Sequence, residues 1–528
     1  MTSATDSRDA GSSRLILCFL ILIVLFYTAM DGVWSGWDKW LPGPMSRTRD
    51  AEAVGITAIA YGEWRGYASY RAVNKALFDS GLNVHQDRLN KLGVKHYLDV
   101  MIDPHRLEAG LRSASTLSAP EAAGMYYAQD ENGLALFYVA AFALFGITSA
   151  SWYWLYMSLY AVSVLTACIA FRRRANVVFF LLVVVCAHAL VSHLLPTLPR
   201  DDVNLIHAGR FLGIMASVAM FHLMFLLVGR DSPRASALLA AVFQALIICM
   251  VINARTSAAW IPIAIALLWG ALWVKWVFWS LANQERGQKP TFWPVAVLCI
   301  ALAGFFAHKS LGQDEGFRDG RGGHVFWHSI VTAVHNHPER TARYGIPAAF
   351  PVFDDQVGYL LFDREIARRG ENRKNYLMDD EDWIYRTTSR DLDFRWAKYD
   401  RVLRDVLQET LLNDPWYVIY AIFVEQPKSA VKTVFGRDFL WSRAMVQVVP
   451  LVAYLLGIFL YMRHASNTWS AYWYPLGFAS IGVLLPVVVA AVFHVRVIEL
   501  FYILLVVLLT TFPFLIAVAM RVASRYRR

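Results

Sequence analysis

Two acidic clusters in this sequence have the residue types needed to accept a proton from a hydroxyl group. Asp50 and Glu52 lie shortly after the first apolar segment, and Asp201 and Asp202 lie between two later apolar segments. A carboxylate within hydrogen-bond reach of a hydroxyl can act as a general base, and a neighbouring carboxylate can orient that hydroxyl or hold a divalent cation. Asp50 and Glu52 are therefore candidate catalytic residues, and Asp201 and Asp202 are candidate acceptor- or metal-orienting residues.

Cationic residues stand at comparable places along the chain. Arg255, His494 and Arg496 each lie between two apolar segments, and Arg200 directly precedes the second acidic cluster. Cations of this kind bind phosphate and stabilise the negative charge that develops when a phosphate group leaves. Arg255, His494 and Arg496 are therefore candidates to bind a phosphate-bearing substrate, and Arg200 is a candidate substrate contact.

A pair of histidines lies in the longest polar region of the second half of the chain. His324 and His328 are four residues apart, a spacing that would place both on one helix face and suits a metal pair. No carboxylate stands between them as in a zinc-protease motif, which favours a structural or substrate-contacting role for both. No metal site is therefore assigned. A divalent cation, Mg²⁺ or Mn²⁺, held by Asp50 with Asp201 or Asp202 is left open.

The composition indicates a membrane protein. Apolar residues make up 57% of the 528 residues and charged residues only 17%, against about 25% charged residues in soluble domains. The formal charge of +9 is modest, and basic residues cluster beside apolar segments, which indicates orientation in a bilayer and argues against nucleic acid as a partner. All five cysteines fall inside apolar segments, so the sequence offers no disulfide framework.

The apolar segments predict ten membrane spans, since a spanning helix needs about 20 apolar residues. The first covers residues 15–30 and follows a polar tail, 1–14, that we expect to be disordered. The other spans are predicted at 150–171, 177–195, 210–229, 235–253, 257–281, 291–308, 443–462, 471–493 and 497–520.

Basic residues cluster on one side of these predicted spans, which is the pattern expected for the cytoplasmic side. They are Arg172–Arg174, Arg230 with Arg234, Arg286 with Lys289, Arg463, and the tail with Arg521, Arg525, Arg527 and Arg528. Both termini are therefore predicted to be cytoplasmic. The candidate acids and cations at positions 50–52, 200–202, 255 and 494–496 all fall on the opposite, outer face.

Each candidate residue also has an ordinary structural interpretation. The acids at 50 and 52 suit the positive end of a helix dipole, and those at 201 and 202 suit a solvated loop. The cations suit a membrane interface, where long side chains reach toward the headgroups. Their shared face favours a site, although interfacial loops are also where polar residues must lie.

Two large polar regions are predicted on the outer face. The first loop, 31–148, ends in an apolar run of about 13 residues before Gly146, too short to span and therefore predicted to lie in the interface. The domain at 309–440 precedes the last part of the chain, 441–528. It contains an apolar face at helical spacing, with Tyr399, Val402, Leu403, Val406, Leu407 and Leu411. Asn413-Asp414-Pro415 is predicted to end that helix and to start another.

Four short motifs resemble those of the polytopic GT-C glycosyltransferases. They are Arg49-Asp50-Ala-Glu52 with the following stretch 60–66, the run 130–146 that ends in Phe-Gly, Asn253-Ala-Arg255, and His494-Val-Arg496. Here Ala51 separates two acids that are often adjacent in that family, and the run lacks an initial Pro-Pro. The resemblance leaves open which acid is the base.

This resemblance implies an all-α, polytopic fold and an enzyme of the bacterial inner membrane with a periplasmic site. Its donor would be a polyprenyl-phosphate-linked sugar, and its acceptor a glycan, lipid or protein. Asp50 would deprotonate the acceptor hydroxyl for an inverting attack, and Arg255 and Arg496 would stabilise the leaving phosphate.

Three other functions fit parts of the same pattern. A transporter or flippase for lipid-linked glycans would carry charges in mid-membrane, where the spans here are nearly free of ionisable groups. An O-antigen-type polymerase or ligase would rely on arginines and a later outer loop. A non-enzymatic scaffold would tolerate loss of Asp50.

Overall fold

The computed structural model describes fourteen stretches of the chain, and every regular element within them is helical. These stretches are residues 3–35, 137, 140–141, 143–146, 150–171, 174–194, 208–228, 235–254, 256–283, 291–312, 326–335, 356–376, 396–465 and 497–526. The predicted all-α class is confirmed for this part of the chain.

Nine long helices match predicted apolar segments. They are α1 (Ser3–Ser35), α2 (Ala150–Phe171), α3 (Ala175–Ser192), α4 (Ala208–Val228), α5 (Ala235–Ala254), α6 (Trp260–Asn283), α7 (Trp293–Gly312), α14 (Val448–Ala465) and α15 (Val497–Tyr526). The first begins at Ser3, so it extends well into the tail that the composition predicts to be disordered. The predicted span at 471–493 lies outside the described residues.

Five of these helices are long and apolar enough to cross a membrane, so the protein is a multi-pass membrane protein by length and composition. They contain Cys18–Ser35, Ser151–Phe171, Ala235–Ala254, Trp260–Phe278 and Val497–Met520. A sixth span results if the bent pair Asp438–Met445 and Val448–Met462 counts as one. Three shorter apolar helices, Val177–Ser192, Leu212–Val228 and Trp293–Ala307, lie within the described parts of α3, α4 and α7.

The centre of the bundle is α3, which packs against α1, α2, α14 and α15. Its residues from Val177 to Val191 are all buried. A helix that is apolar on every side is stable only when other helices or lipid surround it completely. The neighbouring helix α4 packs against α2, α5, α6, α7 and α15, so α3 and α4 together organise the other spans.

The domain predicted to lie on the outer face, which we call the outer domain, contains α8 (Phe326–His335), α9 (Gln356–Arg368) and α10 (Trp396–Asn413), which pack against one another. The predicted apolar face of α10 is confirmed in its first half, where Tyr399, Val402 and Leu403 are buried. Its last member, Leu411, is instead 47% exposed.

A network of ion pairs joins α9 to α10. Glu365, 6% exposed, accepts hydrogen bonds from Arg368 at 2.8 Å and Arg369 at 2.7 Å. The same arginines reach Glu409 and Asp405 on α10. Burial by itself raises the pKa of Glu365, but the hydrogen bonds and charges of the two arginines outweigh it and lower that pKa overall. The network therefore favours the ionised carboxylate at neutral pH.

The predicted helix break after α10 is confirmed. The Asp414 carboxylate accepts a hydrogen bond from the Tyr417 N–H at 3.0 Å, and Pro415 occupies the first turn of α11 (Pro415–Tyr420). Both features are typical of a helix N-terminus. A π-helical turn (Ala421–Glu425) then continues directly into α12 (Gln426–Phe435), and α13 (Asp438–Met445) leads into α14.

Candidate functional site

Six helices place their ends together at one end of the bundle, which we call the site end. Here α1, α3 and α5 end, at Ser35, Ser192 and Ala254, and α2, α4 and α15 begin. Contacts of α1 with α3, of α4 with α5 and of α4 with α15 connect them. The predicted site residues at 50–52, 200–202, 255 and 494–496 lie on segments that follow or precede these ends in the sequence, whereas His324 and His328 do not.

The C-terminal ends of α1 and α3 and the N-terminal turn of α2 are in direct contact. A Cβ atom built on Gly32 would lie 2.4 Å from Nδ1 of His193 and 2.8 Å from the Ser192 carbonyl carbon, so only glycine allows this approach. The Tyr153 hydroxyl donates a hydrogen bond to the Met30 carbonyl at 3.3 Å. Asp31 is close enough to interact electrostatically with both His193 and Tyr153. An acid, an imidazole and a phenol thus meet at the end of the first span.

The beginnings of α4 and α15 form the other half of the site end. Glu499, in the first turn of α15, is 3% exposed, and its Oε1 lies 2.7 Å from where a Cβ of Gly213 would stand. One turn further along each helix, the Ser217 and Tyr502 hydroxyls are hydrogen-bonded at 2.5 Å. A buried carboxylate at the start of an apolar span is costly and is often functional. Glu499 is therefore a site residue that the sequence analysis did not identify.

Asn253 occupies the last turn of α5, two residues before Arg255. It is 4% exposed, and its Nδ2 has no hydrogen-bond partner among the described residues. A buried amide donor without a partner is costly and is available to a ligand oxygen. The sequence analysis selected only Arg255 from the motif Asn253-Ala-Arg255. Asn253 is likewise a polar residue at the end of an apolar segment and could have been selected for the same reason.

Most of the predicted site residues lie outside the described part of the chain. This applies to Asp50, Glu52, Arg200, Asp201, Asp202, Arg255, His324, His494 and Arg496. Arg255 and Arg496 are nevertheless next in sequence to described helix ends, since Arg255 directly follows α5 and Arg496 directly precedes α15. The roles of all nine remain predictions.

His328 is the one predicted site residue within the described part, and it lies in the outer domain. It is 2% exposed, and its Nδ1 is 2.6 Å from the Tyr399 hydroxyl. Its backbone N–H donates a hydrogen bond to the Asp400 carboxylate at 3.0 Å. This geometry favours a structural histidine that fixes α8 on α10, rather than an open substrate contact.

Asp400 gives a pH-dependent test of that packing. Burial raises its pKa from 3.8 to about 6, although the N–H groups of His328 and Trp327 act to lower it. Because the folded domain then binds this proton more tightly than the unfolded chain, the contribution of Asp400 to stability falls as pH rises from about 4 to about 6. Above about pH 6 this contribution to the free energy of unfolding stays constant. The total loss across the window is about 2 kcal/mol, since the group is partly exposed.

We expect Asp400→Asn to remove this pH dependence, because asparagine retains the accepting oxygen but does not titrate. Amide hydrogen exchange in α8 of the full-length protein, corrected for intrinsic rates at pH 3.5 and 7.5, measures the effect. The variant should gain protection relative to the wild type at pH 7.5 and not at pH 3.5. Asp438→Asn, on the exposed side of α13, is the control. An identical pH profile for Asp400→Asn and the wild type would contradict the assignment.

The bundle interior holds more polar groups than the sequence analysis expects. The Tyr156 hydroxyl lies 2.9 Å from Nε2 of His188. Deeper along α2, the Ser163 hydroxyl donates to Oε1 of Gln244 at 2.7 Å, and Nε2 of Gln244 lies 3.3 Å from Nδ1 of His222. Polar side chains inside spans pair with one another and often mark pathways. The two buried histidines, each paired with a neutral side chain, form a second candidate region.

Among the described residues, no group of three or more histidine, cysteine, aspartate or glutamate side chains is arranged to hold a metal ion. The acids for which the sequence analysis left a divalent cation open, Asp50, Asp201 and Asp202, lie outside these residues.

No protein-family model matches the chain, and no curated protein or solved structure is significantly similar to it. Function must therefore be inferred from the residues themselves and from their geometry.

Proposed function

We propose that the protein is a membrane glycosyltransferase that moves a sugar from a polyprenyl-phosphate donor to a glycan, lipid or protein acceptor. In this proposal both termini are cytoplasmic, the protein resides in a bacterial inner membrane, and the site end faces the periplasm. The motifs shared with the GT-C glycosyltransferases suggest this class. A lipid-borne donor also accounts for the many spans, because a nucleotide sugar would not reach the outer face unaided.

The observation that supports the proposal most is the convergence of helix ends. The chain segments carrying Asp50, Asp201, Arg255 and Arg496 each adjoin a helix end at the site end of the bundle. Catalysis of group transfer requires base, phosphate-binding cations and reactants to be held within a few ångströms. The convergence of the helix ends that adjoin these four segments supports such a site.

The reaction follows from the roles of these groups. Asp50 accepts the proton of the acceptor hydroxyl as its oxygen attacks the anomeric carbon of the sugar. The new glycosidic C–O bond forms while the bond from that carbon to the phosphate oxygen breaks, and polyprenyl phosphate leaves with the electron pair. Arg255, His494 and Arg496 bind this phosphate, while Glu52, Asp201 and Asp202 orient the acceptor. Attack opposite to the leaving group inverts the anomeric configuration.

A second candidate function, transport of a lipid-linked glycan, is favoured by the polar interior. The pair Gln244–His222 lies well inside the spans, and the pair Tyr156–His188 lies one to two turns from the site end. Transporters bind substrates near mid-membrane with such groups. The acids and cations at the site end favour catalysis, and an assay can separate the two functions.

The test uses the full-length protein in nanodiscs and a panel of synthetic polyprenyl-phosphate hexoses and pentoses. Envelope extracts supply the acceptors. We expect at least one donor to release free polyprenyl phosphate, detected by mass spectrometry, together with a glycosylated acceptor. The same lipids are then placed in one leaflet of proteoliposomes, where movement to the other leaflet is measured. Movement without any release of polyprenyl phosphate would indicate a transporter instead of a transferase. The absence of both activities would overturn the proposal.

A further inference from the structure

A helical segment between the outer domain and the bundle has one face fixed in two hydrophobic cores. It consists of α11, the π-helical turn and α12, continuous from Pro415 to Phe435. Val418 and Ala421 pack in the outer domain with Val334. Ala430 and Val434 belong to the core of the membrane bundle. The π-helical turn lies between these two sets, where the buried face changes from one core to the other.

The opposite face of this segment exposes large apolar side chains. Trp416 is 78% exposed and Phe423 59% exposed, and Leu412 at the end of α10 is 84% exposed. Residues 416, 419, 420 and 423 recur at three- and four-residue spacing, which places them on one side of the segment, and Leu412 directly precedes the helix break at Asp414. Soluble surfaces rarely present a continuous apolar patch of this kind without a partner.

At its end the segment packs onto the first turns of α15. At the end of α12, the exposed Phe435 stacks on Trp441 with ring centroids 4.9 Å apart. Trp441 in turn contacts Phe501, about one turn into the span of α15, at 4.8 Å. The following α13 meets α14 at a bend of 69°. A strongly bent helix pair that reaches only one turn into a span lies at the depth of the membrane interface.

The exposed side of α14 is apolar over residues 448–462, where its side chains are described. Its exposed residues are Val448, Val449, Val452, Leu455, Leu456 and Phe459. These side chains belong to an apolar helix of the bundle, so lipid is their natural surrounding. The exposed face that begins at Leu412 is therefore continuous along the chain with a lipid-facing surface.

Charged residues beside the apolar face suit lipid headgroups. Lys428, with its side chain 72% exposed, and Lys432 stand one turn apart on α12. The one ion pair described for Lys428 joins it to Glu425 at 3.6 Å. Lysines at the border of an apolar helix face extend their ammonium groups to phosphates while their methylene groups stay in the apolar layer. Arg437 and Arg443 add positive charge on either side of Asp438.

We infer that residues 412–446 form an amphipathic elbow immersed in the outer-leaflet interface of the bilayer that the bundle spans. The apolar face with Trp416, Ile419 and Phe423 lies among the acyl chains, and Lys428 and Lys432 contact headgroup phosphates. The predicted soluble domain, 309–440, is thus anchored to the membrane along its last part. This inference does not depend on the proposed enzymatic activity.

Unaltered protein provides the first test. It is placed in nanodiscs of phosphatidylethanolamine and phosphatidylglycerol in which a fraction of the acyl chains carries a diazirine. After illumination, cross-links are mapped by mass spectrometry. We expect lipid adducts at 412–424 as well as on the exposed face of α14, which serves as the internal positive reference. Adducts on α14 with none at 412–424 would overturn the inference.

Spin labels provide a second test with a matched control. Cysteine is introduced at Trp416 or Phe423, and at Arg401 on the exposed side of α10, in a background with the native cysteines replaced. In the same nanodiscs, labels at 416 and 423 should collide more with oxygen than with a water-soluble nickel complex. The label at 401 should show the reverse order. Equal water access at all three positions, or exclusion of both reagents at 416 and 423 by a covering protein, would overturn the inference.

Discussion

Replacing Asp50 by asparagine is expected to lower the rate of sugar transfer by about 10²- to 10⁴-fold, the usual contribution of a general base. Asparagine keeps the size and the hydrogen-bonding carbonyl of the side chain but cannot accept the acceptor proton. Donor binding should change little, because the phosphate contacts lie on other segments. Steady-state transfer by the purified variant, with the donor identified in the panel, measures the loss.

Substitutions of other acids provide a control for Asp50→Asn and test two alternative bases. Asp6→Asn, in the part of α1 predicted to be cytoplasmic, should retain wild-type activity. Asp31→Asn and Glu499→Gln test the two carboxylates that the structure places at the site end. Full activity in Asp50→Asn, with loss in one of these two, would transfer the role of base to that residue. Full activity in all three would exclude Asp50, Asp31 and Glu499 as the base.

Arg496→Ala is expected to reduce kcat/KM for the lipid donor by about 10²- to 10³-fold, with little change in KM for the acceptor. Arg496 directly precedes α15, whose N-terminus carries the positive end of the helix dipole. A guanidinium at this point adds a bidentate phosphate contact to a backbone that already favours an anion. Titration of donor at saturating acceptor, and the reverse, separates the two parameters.

Two further variants sharpen that assignment. Arg463→Ala removes an arginine predicted to lie on the cytoplasmic side and should leave both parameters unchanged. Arg496→Lys keeps the charge but loses the planar, bidentate geometry, so its kcat/KM for the donor should fall between the wild type and Arg496→Ala. A change in acceptor KM alone would show that Arg496 does not bind the donor phosphate.

The positions of the long helices could be predicted closely from the sequence. The apolar segment predicted at 235–253 is α5, Ala235–Ala254, and that predicted at 150–171 is α2, Ala150–Phe171. The transfer of apolar side chains out of water is roughly additive along a segment, so a window of about 20 residues contains the signal. Pro415 and Asp414 likewise mark a helix start through local chemistry.

Features that depend on the packing of distant segments could not be predicted in the same way. The sequence suggested a single span near 443–462, whereas the structure bends the chain between Met445 and Val448. It also placed Leu411 on a buried face, while the outer-domain core ends before that residue. In both cases the decision depends on which neighbour covers each side of the helix, and no local pattern specifies that neighbour.

The candidate site likewise has features that the local sequence determines and others that depend on the packing of distant segments. The sequence alone determined which residue types stand at helix ends, because charged groups are excluded from apolar segments and collect at their borders. Only the tertiary structure decided that Asp31 meets His193 and that Glu499 is buried against Gly213. Such pairs join residues far apart in the chain, and they form only where small side chains let two helices approach closely.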